Sequence, residues 1–144
     1  MISAEQNVIT LLNAQKAQLN ALFVLLEKEL TALTLRNVTE LDELTVQKSQ
    51  LLTQIQTTDQ QLSEQESLID YTETTWFLEI VAELDDLLSK CKAQTQVNQQ
   101  VLEQSQLTLE RLKNEILATR GKSGLTYTNK GKPALDSLGN GIKA

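Results

Sequence analysis

Few residues in this 144-residue chain could carry chemistry. Carboxylates stand side by side at Asp42–Glu43 and at Asp85–Asp86, and a single thiol sits at Cys91. Paired carboxylates can divide acid and base work only if they converge on one substrate, and sequence neighbours on a helix do not face each other. Glu79, Glu83 and Asp86 do share a helix face. A di-metal site in a helical bundle, however, also draws His from facing helices, and the chain contains no His. The same gap rules out Ser-His-Asp and Cys-His arrangements. With only one Cys, neither a Cys/His zinc site nor an internal disulfide can form. Cys91 falls on an apolar helical stripe, where a free thiol usually behaves as a small core residue. Gly121-Lys122-Ser123-Gly124 lacks the rest of a phosphate-binding loop. The residues therefore predict a protein that is not an enzyme and that uses no cofactor and no metal.

The elements around these residues read as helices. The chain has 27 Leu and 16 Gln, with 5 Gly, 1 Pro and 3% aromatic residues. That alphabet forms helices and lacks the turn and strand formers of a sandwich or barrel. From Val8 the apolar stripe steps by fours and threes through Leu12, Leu19, Leu22, Leu26 and Leu33, with Gln15 and Glu29 as its polar members. This period is close to the 3.5 of a coiled-coil seam. The first helix is expected over 3–34. Asn37 or Thr39 caps the second, expected over 39–69, whose seam runs Leu41, Leu44, Lys48, Leu51, Ile55, Thr58, Leu62, Gln65, Ile69. Lys48 within that seam is expected to pack its stem and send its amine to water, although polar seam positions can also fix register. A short break follows at 70–75. A third helix, 75–118, opens on Trp76 and Phe77, which should plug one end of the bundle. It turns polar at Gln94, Thr95 and Asn98 and recovers at Val101. At 1.5 Å per residue it would be roughly 65 Å long, against roughly 45 Å for the others. The fold class is all-α: three long antiparallel helices in a coiled-coil-like bundle.

Charge divides the chain. Residues 1–118 carry 8 Lys+Arg against 18 Asp+Glu, net −10, whereas 119–144 carry five basic residues against Asp136, net +4. All the glycines and Pro133 lie in that last segment, so a helical bundle over 1–118 is followed by a Gly-rich, basic, flexible tail over 119–144. An acidic body argues against nucleic acid, which needs a basic face. The longest apolar run, Ala21 to Leu26, is six residues, whereas a membrane span needs about 20. MISAEQNVITLL has no basic n-region of a secretory signal, and a free Cys points to the cytosol.

Interaction remains as a function. Val101, Leu102, Leu109, Leu112 and Ile116 share one side of the third helix where its partners run short. That side is either ordinary core or homodimer seam, or a docking face for a partner's amphipathic helix. A structural rod that self-assembles is the competing reading of the whole chain.

Two segments carry a resemblance. Leu41, Leu44, Lys48, Leu51, Leu52 and Ile55 form Leu-x-x-Leu-x-x-x-Lys-x-x-Leu-Leu-x-x-Ile. Asn98-x-x-Val101-Leu102 precedes a Leu-rich helix and then LTYTNKGKP, Leu125 to Pro133, with Tyr127-x-x-x-Gly131. Together with size, acidic body and helix order, these resemble the FlgN-type flagellar export chaperones over nearly the whole chain. The resemblance implies a cytoplasmic chaperone of type III secretion with no catalysis. Its clients would be hook-associated proteins of the FlgK and FlgL type, held through their disordered C-terminal amphipathic helices. It would prevent premature assembly and help deliver clients to the export apparatus. By position, the resemblance implies client binding through Asn98, Val101, Leu102, Leu109, Leu112 and Ile116, with Leu125 and Tyr127 as clasp residues. Ser105 and Thr108 stand where further Leu would be expected.

Overall fold

The structure is a computed structural model that describes residues 3–127, with side chains over 3–121. It contains α1 (Ala4–Leu35), α2 (Val38–Ser63), a one-turn α3 (Leu68–Tyr71) and α4 (Thr75–Tyr127), and no strand among the described residues. The chain divides into two units, 1–101 and 102–144, and α4 passes through the boundary.

Local chemistry sets the ends of the first two helices. The Ser3 hydroxyl accepts from the Gln6 N–H at 3.1 Å, and Glu5 in the first turn meets the positive end of the helix dipole. At the other end Arg36 adopts a left-handed conformation (φ 55°, ψ 38°). The Asn37 N–H then reaches Ala32 O at 2.9 Å and the Arg36 N–H reaches Leu33 O at 3.2 Å, which is the Schellman pattern. Asn37 immediately caps α2, its side-chain oxygen accepting from the Glu40 N–H at 3.1 Å. Of the two caps expected from sequence, Asn37 is the one used. Two residues thus reverse the chain and make α1 and α2 antiparallel neighbours.

The end of α2 differs from expectation. It stops at Ser63, not at 69. The Ser63 hydroxyl donates to Gln60 O at 2.7 Å, and the Leu68 N–H bonds Gln65 O at 3.1 Å. That turn swings Leu68 and Tyr71 onto the core and leaves Ile69, expected in the seam, 77% exposed. The expected break is real but longer, and α3 lies inside it. The third long helix begins at Thr75 as expected but continues to Tyr127 rather than 118. Residues 128–144 of the expected tail lie outside the described residues.

Within the first unit three helices run up, down, up. Glu29 of α1 meets Lys48 of α2, and Gln18 meets Thr58, so α1 and α2 are antiparallel. Lys16, Leu19 and Leu26 of α1 meet Glu83, Cys91 and Asn98 of α4 in the same order, so α4 runs parallel to α1. The core has two centres. Leu22, Leu26, Leu51 and Cys91 form one, joined by Leu19, Phe23, Leu25 and Ile55. Val8, Leu12 and Leu62 form the other, closed off by Trp76, Phe77, Leu68 and Tyr71. The Trp76 ring lies 5.7 Å from Tyr71 and 5.9 Å, edge-on, from Phe77, a favoured aromatic geometry. Trp76 therefore plugs the bundle end, as its position in the sequence suggested.

Candidate functional site

The expected site residues fall into two groups along α4. The first is Asn98, which is 3% exposed. Its amide donates to Leu26 O at 2.9 Å and to Glu29 Oε1 at 2.8 Å, and its oxygen accepts from Gln94 Nε2 at 3.0 Å. The other Glu29 oxygen accepts from Lys48 Nζ at 2.7 Å. Glu29, Lys48 and Asn98 thus bind all three long helices of the unit into one polar layer. The Lys48 and Glu29 side chains are 31% and 16% exposed, so the Lys48 amine is engaged by a carboxylate rather than released to water. This layer fixes register, because sliding any one helix would strand buried polar groups.

The second group belongs to the second unit. Leu102, Leu109, Leu112 and Ile116 follow at intervals of seven, three and four and so share one helix face. They are 37%, 51%, 49% and 51% exposed. Val101, at the end of the first unit, is half-buried. Ser105 interrupts the stripe, and Leu107, 64% exposed, lies on the opposite face. Leu125 and Tyr127 are helical in backbone, and their side chains lie outside the described ones. The structure thus joins four of the eight expected residues into one exposed apolar stripe and places Asn98 in the bundle interior. Lone exposed Leu residues are ordinary on a surface, whereas several on one helix face make that face a candidate interaction surface.

Sequence reading passed over two cations beside this stripe. Lys113 follows Leu109 by four residues and precedes Ile116 by three, and Arg120 follows Ile116 by four. Both are exposed, and neither forms an ion pair among the described residues. Counting charges within one turn of each apolar position would have found them.

The remaining candidates for chemistry are quiet. Cys91 is 4% exposed, and its thiol lies 3.5 Å from Leu19 O as donor. Burial pushes that thiol above its ordinary pKa of 9.0, the opposite of an activated nucleophile. Glu83 is engaged by Lys16. No group of three or more His, Cys, Asp or Glu converges among the described residues. No described helix is long and apolar enough to cross a membrane.

Fold and surface together define an all-α, coiled-coil-like bundle whose last helix presents an exposed apolar stripe. The family model of the FlgN protein matches residues 1–134, and the chain belongs to the FlgN family. That family consists of flagellar export chaperones of the type III pathway, which bind flagellar hook-associated proteins. No curated protein and no solved structure matches the chain.

Proposed function

We propose that this chain is a cytoplasmic chaperone that holds the C-terminal amphipathic region of hook-associated proteins of the FlgK and FlgL type. By covering that region it prevents premature assembly and helps deliver the client to the export apparatus. The exposed stripe Leu102, Leu109, Leu112 and Ile116, in a chain of the FlgN family, carries this reading. Leu125 and Tyr127 are assigned to the client contact in the same reading.

The energetics suit reversible capture. Covering four half-exposed aliphatic side chains recovers about half of the 1.5–3 kcal/mol each would gain on full burial, so roughly 3–6 kcal/mol. Four client anchors add roughly 6–12 kcal/mol by the same rule. Ordering a disordered segment costs about 2–5 kcal/mol, and association at least about 4. Mid-range, about 6 kcal/mol remains, a Kd on the order of tens of micromolar, tightened by polar contacts along the edges. Such a complex releases its client without nucleotide hydrolysis.

Calorimetry with a purified FlgK-type C-terminal segment tests the assignment. Leu102→Ala with Leu109→Ala, and separately Tyr127→Ala, should each weaken binding. Unchanged affinity in both overturns the surface. The 53 residues of α4 favour one other reading, a self-assembling rod. Light scattering separates the two, because a rod grows with concentration and a chaperone stays small.

A further inference from the structure

Resting on that reading, we infer that the helix seated on the stripe carries carboxylates along one edge, and that this edge faces Lys113 and Arg120. The two edges of the stripe differ. One is lined by Lys113, a single turn from both Leu109 and Ile116, and is continued two turns on by Arg120, one turn past Ile116. The opposite edge carries Thr108 and Glu115; on the cationic side Glu110, three residues before Lys113, lies further round the helix from the stripe than Lys113 does. Lys113 and Arg120 are exposed and lack a carboxylate partner among the described residues. A partner helix that buries its apolar face on the stripe brings its own edge residues within reach of these cations. Carboxylates there gain complementarity, and ammonium groups meet like charge.

Net charge alone points the other way. At −6 the whole chain should attract basic peptides. Residues 1–101 carry 6 Lys+Arg against 15 Asp+Glu, net −9, whereas 102–121 carry three of each, and at physiological salt a field is screened beyond about 8 Å. What a docked helix senses is the charge along the stripe. Because a helix with one acidic edge can turn end for end, the cationic edge also selects the direction in which it lies.

The test uses the full chain and two synthetic 20-residue amphipathic peptides with the same Leu face. One carries Glu along one edge and the other carries Lys, with Gln on the other edge of both. In about 0.15 M salt the Glu peptide should bind about 5-fold or more tightly than the Lys peptide, since each exposed pair contributes modestly. Lys113→Glu with Arg120→Glu should reverse the order. Leu109→Asp should weaken both peptides about 10-fold or more. Equal binding of the two peptides, or preference for Lys in the unmodified chain, overturns the acidic edge while leaving the stripe intact. Undiminished binding in Leu109→Asp instead overturns the stripe itself.

Discussion

Replacing Asn98 by Ala separates two roles the residue could have. If Asn98 belongs to the bundle, Asn98→Ala should lower stability by about 2–3 kcal/mol. The hydrogen bond to the Glu29 carboxylate involves a charged group and is worth about 1.5–3 kcal/mol, and the bonds to Gln94 and Leu26 O about 1 each. Those values overstate the loss. Glu29 keeps Lys48 at 2.7 Å and is 16% exposed, Gln94 is half-buried and regains water, and Leu26 O sits inside a helix. With an m-value of about 1–3 kcal/mol per molar for urea, the midpoint should fall by about 0.7–3 M. Urea unfolding followed by helical circular dichroism reads this directly. A double-mutant cycle with Glu29→Gln should give a coupling of about 1 kcal/mol, because the two side chains share one bond. Client affinity measured well below the new midpoint should stay within about 2-fold of the unmodified chain. A midpoint that does not move, with client binding lost, would refute the register role and return Asn98 to the partner surface.

Other outcomes follow from single positions. Arg36→Gly should stabilise the chain by about 0.5–1 kcal/mol in thermal or urea unfolding, since the left-handed φ of 55° is costly for a residue with a Cβ. Ile69→Asp should change stability by less than about 0.5 kcal/mol, whereas Leu68→Ala should cost about 1–2, the reverse of what the seam periodicity predicts. The Cys91 thiol, raised above 9.0 by burial, binds its proton more tightly folded than unfolded. Its contribution is complete below about pH 9 and declines as pH rises through that value toward the folded pKa. Stability profiles of the unmodified chain and Cys91→Ala should therefore converge above about pH 9 and run parallel below it.

Much of the fold was legible because helix signals are local. Asn37 is a side chain whose oxygen caps a helix, and the 4–3 spacing from Val8 to Leu33 needs no partner to be read. The errors arise where tertiary contacts override spacing. Leu62, Gln65 and Ile69 keep the seam period, yet the helix ends at Ser63 because Leu68 and Tyr71 gain more by closing the core around Val8 and Leu12. Gly121 and Gly124 read as breakers at about 1 kcal/mol each, but α4 runs through both. Glu29, Lys48 and Asn98 were each visible as polar seam positions. That they meet depends on the register of three helices, which no single stretch of sequence contains.

The same distinction explains why the candidate surface was the hardest feature to read. Core and docking face demand the same thing of a helix: apolar side chains at fours and threes on one side. Cys91 and Leu109 are eighteen residues apart on one helix and cannot be told apart by pattern, yet one is 4% exposed and the other 51%. Element length breaks the tie. Packing along α1 can occupy at most about its 32 residues, and α4 has 53. Roughly the last twenty residues of α4 exceed that length, so the apolar positions Leu109, Leu112 and Ile116 among them must find another cover or stay in water, and a chain that keeps them exposed needs charge to remain soluble. The placement of Lys113 and Arg120 supplies that charge where a bound helix can sense it, so the residues that keep the face wet when empty also discriminate among its occupants.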